Sequence, residues 1–75
     1  MDDVKRLVIK RATDLGSSLT REGYHFVVNC SLLDTHVIKM RHHRNTNRIF
    51  IIGYFVTGEI KLYRNSKLRK TITLK

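Results

Sequence analysis

A chain of 75 residues makes one folding unit, residues 1–75, and leaves no room for a second core. One cysteine, Cys30, excludes an internal disulfide and a thiolate zinc site, and apolar runs of only a few residues exclude a transmembrane helix. The net charge of +9 points to a polyanionic partner.

The first element is predicted to be a helix over about residues 3–22. Val4, Leu7, Val8, Ala12, Leu15 and Leu19 recur at helical spacing, while Lys5, Arg6, Lys10, Arg11 and Asp14 occupy the other sides. Asp2 or Asp3 can cap its start by accepting backbone N–H groups. Gly16 weakens the middle, but Leu19 continues the stripe, so Gly23 is the better stop signal.

From Gly23 onward the pattern becomes β-rich, over residues 24–74. Tyr24–Val28 is aromatic and β-branched. Thr35–His43 alternates, with Ile38 and Met40 opposite in direction to Lys39 and Arg41. Arg48–Val56 is apolar at almost every position, which predicts a central strand covered on both faces. Thr57-Gly58 reads as a two-residue hairpin turn, pairing Val56 with Glu59 and Phe55 with Ile60. Glu59–Arg64 and Leu68–Leu74 follow. A two-residue Asn65-Ser66 loop would send Leu68, Ile72 and Leu74 to the outer face, whereas a three-residue loop sends them to the core, which burial favours. Short connections predict antiparallel neighbours. The expected fold is α+β: one N-terminal helix packed on one face of a four- to five-stranded antiparallel β-meander.

Strict alternation separates two faces. Ile49, Ile51, Gly53, Phe55, Ile60 and Leu62 make the seat for the helix, with Gly53 permitting close approach. The other face carries Phe50, Ile52, Tyr54 and Val56, bordered by Lys39, Arg41, Arg48, Lys61 and Tyr63. A single helix covers one side only, so Phe50, Ile52, Tyr54 and Val56 are expected to form an interaction surface. Bases stacking on the rings, a second copy of the chain, a protein partner, or a folded-back segment at residues 29–35 would each satisfy it.

The charge is divided unequally. In residues 1–34 five basic side chains balance five acidic ones, whereas residues 35–75 hold ten basic residues against Glu59 alone. The candidate nucleic-acid contacts are Lys39, Arg41, Arg44, Arg48, Lys61, Arg64, Lys67, Arg69 and Lys70 on phosphates, with Tyr54 and Tyr63 stacking on bases. Within the loop His42–Arg48, Arg44 and Arg48 offer forked donors, and Asn45 and Asn47 amide groups that suit adenine or backbone. Cys30 is expected as a small buried apolar residue. The acidic Met-Asp-Asp start and the single thiol predict a cytoplasmic protein with no membrane partner.

His25, His36, His42 and His43 lack metal-ligand spacing, so neither metal nor cofactor is expected. The helix-then-strands order resembles the compact toxin nucleases of the HicA type, without the glycine-serine-histidine element associated with them. That resemblance implies a metal-independent ribonuclease using His42 or His43 with an arginine. The leading expectation is a noncatalytic nucleic-acid-binding protein, DNA or RNA, acting as a small regulator through its basic sheet half. The rival is an inhibitor or adaptor of the kind phages encode, which seats the same surface on an acidic protein site; a homodimer through the outer face suits either.

Overall fold

The computed structural model describes residues 3–74. Its elements are α1 (Asp3–Thr20), β1 (Tyr24–Ser31), β2 (Thr35–His42), β3 (Arg48–Tyr54), β4 (Glu59–Arg64) and β5 (Lys67–Thr73). The strands form one antiparallel sheet in the order β1-β2-β3-β4-β5, with α1 packed on one side. This is the α+β architecture expected from the sequence, with five strands.

The row Val4, Val8, Ala12 and Gly16 faces the sheet, and Leu19 extends it. Leu7 was expected in this stripe but is 51% exposed, because it lies about 100° round the helix from Val8. Asp3 puts a carboxylate in the first turn, where the helix dipole favours it; Asp2, the other capping candidate, lies outside the described residues. The helix runs through Gly16, whose missing side chain is filled by the Phe26 ring: a Cβ there would lie 2.7 Å from Phe26 Cε1. After Thr20 the backbone tightens, the N–H groups of Arg21, Glu22 and Gly23 donating to the carbonyls of Ser18, Leu19 and Thr20 at 3.2, 2.9 and 3.2 Å.

Between helix and sheet lie the fully buried Val8, Ala12, Ile38 and Ile51, with Met40, Ile49 and Ile60 almost as enclosed. Each large aliphatic side chain buried here stabilises the fold by about 1.5–3 kcal/mol. At Gly53 α1 approaches the sheet closely, since a Cβ there would overlap Val8 Cγ1.

Register departs from expectation between β3 and β4, and bulges that the sequence pattern left open set it in the last hairpin and in β1. In the β3–β4 connection Gly53 pairs with Ile60 and Ile52 with Lys61, so the loop has four residues, 55–58, rather than two. The shift is two residues, an even number, and every side chain keeps its predicted face. Val56 nevertheless leaves the sheet: it lies in the loop, 74% exposed.

In the last hairpin the loop is Asn65-Ser66, both with positive φ (51° and 69°), as a two-residue turn between twisted strands requires. Tyr63 pairs with Leu68, but Leu62 pairs with Lys70, leaving Arg69 as an extra, bulged residue. Leu68 is therefore on the outer face, while Ile72 and Leu74 pack towards the core. The turn and the core each obtain the register they need.

A second bulge lies in β1, where Phe26 pairs with Met40 and Val28 with Lys39, leaving Val27 extra. Beyond it Val28 and Cys30 point to the outer face. Cys30, on this edge strand, is exposed rather than buried. Residues 29–31 complete β1 and do not fold back over the sheet. Nor is β3 covered on both sides: Ile49, Ile51 and Gly53 are buried, but Phe50, Ile52 and Tyr54 are only half-buried.

The Gly53 contact is open to test. Gly53→Ala is expected to lower the unfolding free energy by about 1–3 kcal/mol in urea titrations. Combined with Val8→Ala, which removes the opposing methyl groups, it should cost less than the sum of the two single changes; strict additivity would mean that the overlap is not felt.

Candidate nucleic-acid interface

Alternation along β2, β3 and β4 builds the outer face. Across its middle, Lys39 pairs with Phe50, and Phe50 with Tyr63. The Phe50 and Tyr63 rings lie 5.9 Å apart, tilted by 49°, and Lys39 Nζ stands 6.0 Å from the Phe50 centroid. One row along, Arg41 pairs with Arg48; one row the other way, Val37 pairs with Ile52 and Ile52 with Lys61. Tyr54 closes the strip opposite Thr35. The result is a shallow concavity of about 780 Å³, in which half-buried rings and aliphatic side chains lie between cations. Among the described residues of β2, β3 and β4, Glu59 is the one carboxylate, 4.0 Å from Lys61 Nζ.

The structure thus brings Lys39, Arg41, Arg48, Lys61, Tyr54 and Tyr63 together with Phe50 and Ile52. It separates the others. Arg64 pairs with Ile49 and Lys67 with Arg64, which places both on the helix side of the sheet. Arg69 and Lys70 also face that side, in a groove beside α1. Val56 drops out of the strip, as the longer loop requires. Phe50, expected only as an interface residue, is the ring nearest both Tyr63 and Lys39; the signal was its position opposite Lys39, one step beyond the alternation of β2.

The loop 43–47 is internally bonded. Asn45 Oδ1 accepts from Asn47 N–H at 2.8 Å, Asn47 Oδ1 accepts from Asn65 Nδ2 at 3.0 Å, and Asn65 Oδ1 accepts from Arg48 N–H at 2.9 Å. Asn47 and Asn65 thereby lock two hairpin tips to each other, Asn45 braces Asn47 within its own loop, and Arg44 stands exposed at the end.

Three of the four histidines hold structure together, and His25 stands exposed opposite Arg41. His42 Nε2–H donates to the Glu22 carbonyl at 2.9 Å, and its Nδ1 accepts from Arg44 N–H at 3.0 Å. His43 Nδ1–H donates to the Gly23 carbonyl at 2.7 Å, its ring stacked on His42 with centroids 5.0 Å apart. The pair ties the carbonyls after α1 to the end of β2. His36 is 5% exposed, with Nε2–H donating to Asn29 Oδ1 at 2.7 Å and Nδ1 accepting from the Ser31 hydroxyl at 2.8 Å. Sequence reasoning missed this network because the β1 bulge sets which residues oppose His36. Among the described residues, no three His, Cys, Asp or Glu side chains cluster to hold a metal ion, and no helix is long and apolar enough to cross a membrane.

Comparison of the chain with protein-family models, curated proteins and solved structures found no match. The geometry therefore carries the functional reading by itself.

Burial holds the His36 ring below its ordinary value of 6.5 by penalising the charged form. The unfolded chain then binds the extra proton more readily, so the contribution of His36 is complete above about pH 6.5 and is lost as pH falls towards the depressed folded value. Urea midpoints are expected to drop between about pH 7.5 and 5.5, and the drop should shrink in His36→Gln. An unchanged drop in that variant would assign it to other groups.

Proposed function

We propose that the protein is a noncatalytic nucleic-acid-binding protein, a small regulator that lays a single strand across the outer face of its sheet. The observation that carries this reading is the Phe50–Tyr63 ring pair, half-buried and flanked by Lys39, Arg41, Arg48 and Lys61. Bases stack on exposed rings, and cations beside the rings follow the phosphates. A duplex keeps its bases stacked on one another, so the rings favour a single strand. Arg44 and Arg48, at the rim, have the forked donors for phosphate or guanine.

Two features support the noncatalytic part. Both ring nitrogens of His42 are hydrogen-bonded to backbone, so His42 would have to release the turn after α1 before acting as a ribonuclease base, whereas the Nδ1–H bond of exposed His43 leaves Nε2 as its accepting nitrogen. His36 is buried, whereas His25 is exposed opposite Arg41. A homodimer through the same face would set Lys39, Arg41, Arg48 and Lys61 against their copies, and such like-charge juxtaposition is costly.

Fluorescence anisotropy with a labelled oligonucleotide tests the reading. Neutralising four phosphates of a single strand predicts a slope of about −2.8 for log K against log salt. Phe50→Ala and Tyr63→Ala should each weaken binding by about 1–3 kcal/mol without altering that slope, whereas Lys39→Gln or Lys61→Gln should reduce it by about 0.7. Absence of binding at about 50 mM salt would sink the proposal. Light scattering on the free protein should give a monomer; a dimer broken by Phe50→Ala would assign the face to a second copy.

A further inference from the structure

The helix covers only part of its own side of the sheet. Among the described residues α1 contacts β1, β2, β3 and the margin of β4, but not β5. Neighbouring strands are about 4.8 Å apart, and packed helices 8–10 Å, so one helix spans roughly two strands. The β4–β5 flank is therefore as wide as a second helix. Its floor is apolar: Leu62, Ile72 and Leu74 are half-buried rather than enclosed. Leu15 and Leu19 of α1 form one wall of the groove left there.

The opposite rim is cationic. Arg69 and Lys70 of β5, with Arg64 at the end of β4, line this groove, and Glu22 is the one carboxylate among the described residues that do so. The bulge contributes directly, since Arg69 and Lys70 both face the groove although they are consecutive in β5. A bulge commonly re-aims a side chain in this way. The geometry points to a docking site for an acidic amphipathic helix of a partner protein, lying beside α1 with its apolar stripe on Leu62 and Ile72 and its carboxylates against Arg64, Arg69 and Lys70. Charge complementarity selects the partner's sign, and the one-helix width selects its form. This site is on the opposite side of the sheet from Phe50 and Tyr63, so it is independent of the nucleic-acid reading.

The probe is a designed, labelled helical peptide with leucines at helical spacing flanked by glutamates, titrated into the full isotope-labelled chain. Binding is expected at a Kd of about 10–100 µM, with amide shifts concentrated at Leu15, Ser18, Leu62 and Lys70. A scrambled peptide of the same composition should bind at least about tenfold more weakly. The exposed-site variant Arg69→Glu/Lys70→Glu should lose about tenfold in affinity and regain it with a lysine-flanked peptide. Lys39→Glu, on the outer face, should leave Kd within about twofold. Equal binding of the scrambled peptide, shifts confined to the outer face, or no binding up to about 1 mM would overturn the proposal.

Discussion

The seating of Val8 on Gly53 positions everything else. Because no side chain intervenes at Gly53, α1 sinks onto β1, β2 and β3, and the buried set Val8, Ala12, Ile38, Ile51 and Ile60 closes around that contact. An 18-residue helix placed there covers β1, β2, β3 and the margin of β4 on one side of the sheet. The outer face stays open, and so does the β4–β5 flank. Both surfaces follow from having one helix for five strands.

The charge distribution follows the same division. The helical half of the chain is neutral and provides the core-facing stripe, whereas the strands carry the cations. Alternation then deals those cations to both sides of the sheet: Lys39, Arg41, Arg48 and Lys61 outward, Arg64, Lys67 and Lys70 towards the helix side. A single basic half thus becomes two separate basic surfaces, each with apolar side chains in its middle. Neither the total charge nor its place along the chain reveals that split.

The helix, the strands and their neighbours were legible because periodicity and short connections are local signals. The faces of β3 and β4 were legible for a less secure reason: the loop was misread by two residues, and an even error leaves parity intact. Where a bulge intervenes, parity fails. Val27 in β1 sends Val28 and Cys30 outward, and Arg69 in β5 separates Leu68 from Ile72. Cys30 was misjudged on its chemistry, since a thiol prefers burial, but an edge strand has no covered outer side there. The His36 network could not be read at all, because Asn29 and Ser31 meet the ring only through the shifted pairing.

Both bulges fall in the two strands whose outer edges are unpaired, β1 and β5. A bulged edge is bent and locally twisted, a poor template for another strand. Copies of this chain are thereby discouraged from joining edge to edge into a growing sheet, the open-ended route to fibres. Any association they make is left to their faces, where the outward cations of two copies repel and a twofold pairing would in any case stop at two. The same irregularities that make the register hard to read leave a sheet with an uncovered face only finite ways to assemble.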